Sequence, residues 1–214
     1  ECLVGSEMCI RDRVAIIDYD AGNIKSVEKA LQALGENAVI TRDKACILEA
    51  DKVILPGVGA FGDAMQKLED YGLTDVIREV AEKGTPFLGI CLGLQLLFER
   101  SEESEGVDGL GILPGEILRI PEAPGLKIPH IGWNSLSYPN PGRLFTGVKE
   151  NSYVYFVHSY YLRSSDPSIV TAETEYGTRI HASVEKDNIF ACQFHPEKSS
   201  AVGLTILKNF ISLT

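Results

Sequence analysis

The sequence predicts an α/β fold: a central, mainly parallel sheet flanked by helices, with additional antiparallel strands in the second half. Three observations carry this. Short β-rich runs alternate with helical patterns through the first half. The second half is a series of strand-like runs separated by turn residues. An amphipathic helix closes the chain. Strands alternating with helices imply parallel pairing through helical crossovers, whereas consecutive strands favour antiparallel neighbours.

The elements follow in order. "VAIID" from Val14 is the first strand. In the helix after it, Ile24, Val27, Leu31 and Leu34 share one face, and Gly35 suits its C-terminal cap. "AVIT" and "KVILP" are the second and third strands. Two helical patterns fill Gly62 to Lys83, the second with an apolar stripe of Leu73, Val76, Ile77 and Val80. "PFLGI" is the fourth strand, and a helical pattern resumes beyond Cys91. In the second half, "GEILRI", "SYVYFVHSYYL", "SIVTAET", "RIHASVE" and "NIFACQF" read as strands, and "YPNPG" as a surface turn. "SSAVGLTILKNFISL" is the closing helix, with Ser199 at its N-cap and Val202, Ile206 and Phe210 on one face.

At 214 residues, 44% of them hydrophobic and 23% charged, the chain reads as one globular domain at 14–214. A net charge of −10 disfavours a nucleic-acid partner, and no apolar run is long enough to span a bilayer. The five cysteines are scattered, without C-x-x-C or zinc-type spacing, so reduced thiols and a cytoplasmic location are expected. "ECLVGSEMCIRDR", Glu1 to Arg13, has no Met at its start and no signal-peptide order. It reads as a non-native or disordered extension.

The chemistry centres on Cys91. Gly89-Ile90-Cys91-Leu92-Gly93 has the spacing of a nucleophile elbow with Cys in place of Ser. A strand-to-helix turn exposes the side chain, and a helix starting near Leu92 would favour the thiolate. The pattern alone is equally compatible with a buried thiol between two glycines that allow close packing. A nucleophile needs a base, and His195 in "CQFHPEKS" ends an apolar strand. Pro196 biases His195 toward an extended conformation, in which Glu197 would project to the same side and hold one imidazole nitrogen. "PGVG" at Pro56 to Gly59 follows a strand, and its glycines let backbone N–H groups turn toward an oxyanion, paired with the N–H of Leu92. They also let a peptide unit flip between inactive and active forms. Gly57, Gly59 and Gly62 fit the dinucleotide fingerprint as well. They follow the third strand, however, and Glu79 and Glu82, at the distance where an acidic residue is needed, lie in a helix.

Together, "GICLGLQLL" and the downstream "FHPE" resemble the class I, triad-type glutamine amidotransferases, over nearly all of Val14 to Thr214. Within them, "DYDAGNIKSV", "PGVGAF", "KIPHIGWN" and "YFVHSYY" look like the glutamine amidotransferase subunits of imidazole glycerol phosphate synthases. The resemblance implies a glutaminase with Cys91, His195 and Glu197 as its catalytic residues. It implies an oxyanion site at Val58, Gly59 and Leu92, and glutamine contacts from Gly59, Gln95, Ser159 and Tyr160. Gln95 lies one helical turn beyond Cys91, on the same face; without the resemblance it reads as a solvated helix residue. Ser159 stands where Thr or Ser is expected, and Asp20 where relatives often carry Gly. The implied partner is a (β/α)₈ cyclase subunit receiving ammonia, with Asn23, Trp133, Tyr155 and Lys198 at or near the interface. Trp133, the single tryptophan, is read equally well as core packing. No metal or organic cofactor is implied. The alternatives are another triad amidotransferase, against which "KIPHIGWN" argues, and a non-catalytic nucleotide-binding or regulatory relative.

Overall fold

The computed structural model describes residues 13–214. The expected N-terminal extension lies outside the described residues except for Arg13. The Arg13 carbonyl accepts hydrogen bonds from the amides of Asp51 and Lys52.

The first half alternates as the periodicity predicts: β1 (Val14–Ile17), α1 (Ile24–Ala33), β2 (Ala38–Thr41), α2 (Lys44–Leu48), β3 (Lys52–Leu55), α3 (Phe61–Asp70), α4 (Thr74–Glu82), β4 (Phe87–Ile90) and α5 (Leu92–Leu96). The second half contains β5 (Arg100–Ser101), β6 (Gly115–Arg119), β7 (His130–Ser135), β8 (Tyr153–His158), β9 (Tyr160–Ser164), β10 (Val170–Glu175), β11 (Arg179–Lys186), β12 (Ile189–Cys192) and the closing helix α6 (Ser200–Ile211). Seven strands form the main sheet in the order β10-β11-β12-β4-β3-β1-β2. From β2 to β12 the pairing is parallel; β11 and β10 add antiparallel ladders at one edge. Two small sheets, β5-β6-β9 and β7-β8, stand beside it.

Period-two alternation sorts each central strand between two apolar layers. Ala15 and Ile17 of β1 join Val76, Ile77 and Val80 of α4 on one face. Val14 and Ile16 join Val27 and Leu31 of α1 and Ile206 and Phe210 of α6 on the other. The stripes read from the helical spacing are therefore the buried ones, except that Leu34 and Val202 are only partly buried.

Four local readings change. "SYVYFVHSYYL" is two strands, not one: the chain breaks at Ser159, with β8 pairing to β7 and β9 to β6. Strand β7 starts at His130 inside "KIPHIGWN" and ends at Ser135, and Gly132 and Asn134 hide its alternation. Helix α2 buries only Ile47 and rests on the Asp43 side chain, which accepts from the Cys46 amide. Ser199 sits at the α6 N-cap position but does not cap it. Its hydroxyl instead donates to the His195 carbonyl at 2.6 Å and accepts from the Tyr155 amide at 2.9 Å.

Candidate active site

Parallel pairing brings the C-terminal ends of β3, β4 and β12 to one edge of the sheet, where α/β folds place their sites. The register sets Leu55 beside Gly89 and Cys192 beside Ile90. "PGVG", Cys91 and "QFHPE" therefore leave the sheet side by side, though they are far apart in sequence.

Cys91 turns the chain from β4 into α5 with φ 55° and ψ −108°. A non-glycine residue held there costs of order 1–3 kcal/mol. Its amide is anchored to the Cys192 carbonyl at 2.8 Å. The flanking glycines are steric necessities: a Cβ on Gly89 would lie 2.7 Å from the Gly93 carbonyl oxygen, and one on Gly93 would lie 1.8 Å from that of Leu55. This explains the Gly-x-Cys-x-Gly spacing without reference to chemistry; the strain at Cys91 itself points to function. The helical support for the thiolate is smaller than the sequence suggests, because α5 spans five residues.

His195 is buried, in extended conformation, and its Nδ1 lies 2.7 Å from Glu197 Oε1. The extended segment ends there. Pro196–Lys198 form a 3₁₀ turn, and that turn, rather than strand alternation, brings the carboxylate round. Nε2 is buried and makes no hydrogen bond of good geometry among the described residues. Burial opposes a charge on His195, but the Cys91 sulfur and the Glu197 carboxylate more than offset it and raise the imidazole to about 9. At neutral pH it is an imidazolium.

A cavity of about 280 Å³ opens on Cys91 and is lined by Val58, Gly59, Leu92, Gln95, Ser159 and Tyr160, the residues singled out in the sequence. Its wall also includes Glu103 and His158. Gln95 is buried rather than solvated, with Nε2 donating to the Tyr160 carbonyl at 3.0 Å. The Leu92 amide donates to the Gly57 carbonyl at 3.3 Å, so this N–H is held by the "PGVG" loop. The dinucleotide reading of the same loop loses its anion site. The first amides of α3 are taken by the Glu103 carboxylate, 2.8 Å from Phe61 N, and the Ser104 hydroxyl, 2.9 Å from Gly62 N.

The four residues expected near an interface separate into two roles. Trp133 is 49% exposed, outside the core, and meets Tyr155 edge-on across the β7-β8 ladder at 6.0 Å. Ile131 and Tyr153 are also exposed on this hairpin. Lys198 is exposed. Asn23, by contrast, is half-buried and donates from Nδ2 to Glu197 Oε1 at 2.5 Å, so it touches the His195–Glu197 pair directly. The "DYDAGN" loop that carries it is braced at Asp20. This residue has φ 62°, where Asp is better tolerated than most side chains, and bonds Arg42 at 2.6 Å and the Tyr71 hydroxyl. Asp20 is therefore accommodated at this turn.

Sequence reasoning missed Gln193, which is fully buried and places Nε2 3.7 Å from the Cys91 sulfur. A polar amide closing an apolar strand was the available signal. The sequence reading also passed over His158 and His130, whose rings bond each other at 3.0 Å.

The model of the class-I glutamine amidotransferases matches residues 15–213. The imidazole glycerol phosphate synthase subunit HisH of Moorella thermoacetica is 54% identical over 92% of this chain and 93% of its own length. That of Aquifex aeolicus is 53% identical over 92% of this chain and 95% of its own. Among solved structures, a glutamine amidotransferase superposes with a TM-score of 0.72 at 20% identity, covering 92% of this chain and 98% of that one. PurLQS from Thermotoga maritima superposes at 0.71 and 23% identity, covering 94% and 98%. The structural likenesses establish the shared fold; the family match and the close sequence relatives establish that the chain belongs to the class-I glutamine amidotransferases, in the branch of the HisH subunits.

Proposed function

We propose that this chain is the glutaminase subunit of an imidazole glycerol phosphate synthase, hydrolysing L-glutamine and passing ammonia to a cyclase subunit in histidine biosynthesis. The observation that carries the reading is the buried His195–Glu197 pair, 2.7 Å apart, beside a strained Cys91 at an open cavity. Cys91, as thiolate, attacks the side-chain amide carbon of glutamine. The imidazolium of His195 gives its Nε2 proton to the departing ammonia. The neutral imidazole then takes a proton from water, whose oxygen attacks the γ-glutamyl thioester; the sulfur leaves as thiolate beside the imidazolium, and the glutamate carboxyl loses its proton to solvent. Glu197 orients His195 and favours its charged form. Gln95, Ser159 and Tyr160 hold the substrate, and backbone amides at Val58, Gly59 and Leu92 receive the oxyanion.

The Leu92 amide is engaged by Gly57, so the oxyanion site needs the "PGVG" backbone to turn. This supports a resting state that the partner activates. A cyclase docked on the Trp133–Tyr155 hairpin, with Lys198 nearby, would also keep ammonia from becoming ammonium in bulk water. The hairpin is tied to the triad, because the His195 amide donates to the Tyr155 carbonyl at 2.9 Å.

Co-expression with the cyclase subunit from the same source, followed by a synthase assay, tests the reading. Cys91→Ala should abolish glutamine-dependent product while ammonium salts still support synthesis through the intact partner. Glutaminase activity persisting in Cys91→Ala overturns the assignment.

A further inference from the structure

Behind the cavity, a line of buried polar groups leads to the Cys91 sulfur. The Tyr160 carbonyl accepts from both His158 Nδ1, at 2.9 Å, and Gln95 Nε2, at 3.0 Å. Gln95 Nε2 also donates to Gln193 Oε1 at 3.1 Å, and Gln193 Nε2 lies 3.7 Å from Cys91 Sγ. On the far side, His158 Nε2 meets His130 Nδ1 at 3.0 Å. The His130 ring is stacked between Phe156 and Tyr176, with centroids at 4.8 and 3.8 Å.

The polarity of this line is determined by one group. A carbonyl only accepts, so His158 must carry its proton on Nδ1 and present a lone pair at Nε2, which His130 Nδ1–H fills. For the same reason Gln95 must turn its NH₂ toward Tyr160. Both of its N–H donors are then used, and its side-chain carbonyl is what it has left to offer a ligand. Gln193, accepting at Oε1, is obliged to aim its NH₂ at the sulfur.

We propose that Gln193 and the His130–His158 pair position the nucleophile and the substrate grip together. Gln193 donates to the Cys91 sulfur and holds Gln95, while the two imidazoles hold the Tyr160 carbonyl that locks Gln95 from the other side. This rests on the glutaminase reading. Burial keeps both imidazoles neutral, at about 4 for His130 and about 3 for His158, so the line is intact at neutral pH. His130 lies on the inward face of β7, and Trp133 on the outward face, so one strand carries both the end of this line and the exposed aromatic.

The test uses the complex with the cyclase subunit and three variants, with folding checked by thermal melts. Gln193→Met keeps the volume and removes both hydrogen bonds. It should slow iodoacetamide alkylation of Cys91 at pH 7 and raise KM for glutamine, each about fivefold, the scale of one lost hydrogen bond. His130→Phe keeps the stacking and loses the donor, and should raise KM several-fold with less effect on alkylation. His130→Asn returns a donor to the Nδ1 position and should restore KM to within about twofold, which a purely structural role would not do. The proposal is overturned if folded Gln193→Met matches wild type in both readouts, or if His130→Asn is as impaired as His130→Phe. Should Gln193→Met fail to fold, the His130 pair decides. Absence of glutamate release by the wild-type complex would overturn the glutaminase reading instead, and the alkylation rates would still judge the positioning of Cys91.

Discussion

At the end of β12, His195 is buried beside a carboxylate and is held charged, its imidazole raised to about 9. At the end of β8, His158 is buried beside another imidazole and a carbonyl and is held neutral, at about 3. Both side chains are nearly inaccessible, and both belong to the same site. Burial pushes each toward neutrality; only a neighbour with a full negative charge reverses it. His130 and His181 are also pushed down, chiefly by burial, in His181 against the pull of the Glu173 carboxylate 3.8 Å away. One residue type is thus pushed up in one cluster and down in the other.

The most direct way to erase this contrast is Glu197→Gln. His195 should then move toward the other histidines, and kcat/KM for glutamine in the assembled complex should fall by about 10²–10⁴, the range for a general acid–base group. A loss of less than tenfold would mean that Cys91 alone holds the charge.

Trp133→Ala probes the surface behind the neutral cluster. It should weaken the cyclase complex about 30-fold, as for an aromatic anchor, when followed by titration calorimetry. Alkylation of Cys91 in the free subunit should not change. Unchanged affinity would place the docking surface elsewhere.

Asn23→Ala sharpens the comparison at the carboxylate. Removing the donor to Glu197 Oε1 should lower kcat about tenfold, with KM little altered. A change in KM alone would argue that Asn23 acts on substrate rather than on the pair.

The smallest effect is on stability, and its sign differs between the clusters. A histidine depressed on folding stabilises the protein above its unfolded value near 6.5, and that contribution is lost as pH falls through about 4 for His130 and about 3 for His158. His195 is raised, so its contribution is complete below 6.5 and is lost as pH rises through about 9. Melting temperature should decline on both sides of a neutral plateau, each kcal/mol shifting Tm by about 2–4 °C in a domain of this size. His130→Asn should flatten the acid limb, and Glu197→Gln the alkaline one. If each variant flattened the wrong limb, the two assignments would be reversed.

Much of this was legible in the sequence, for identifiable reasons. The stripe Val76, Ile77 and Val80 and the runs Val14–Ile17 and Val53-Ile54-Leu55 are apolar patterns, and all are buried. The Gly89-x-Cys91-x-Gly93 spacing signals a tight elbow because carbonyls crowd both glycines. Gln193 was harder to find because one amide in an apolar run has no repeat to mark it. Asn23 was expected at the interface, and nothing local says that its amide reaches a carboxylate.

By itself the sequence determined the alternating first half, the closing helix, the elbow at Cys91 and the His-x-Glu pair, because each depends on residues close together in the chain. Tertiary structure alone decided that Asn23 meets Glu197 across 174 positions and that Gln193 meets Cys91 across 102. It also brought the Cys91 sulfur to His195, beside the Glu197 that the sequence already supplies. Such contacts come from strand order and register, and the charge on His195 follows from both kinds of neighbour: Glu197, two positions along the chain, and Cys91, which the sheet brings alongside.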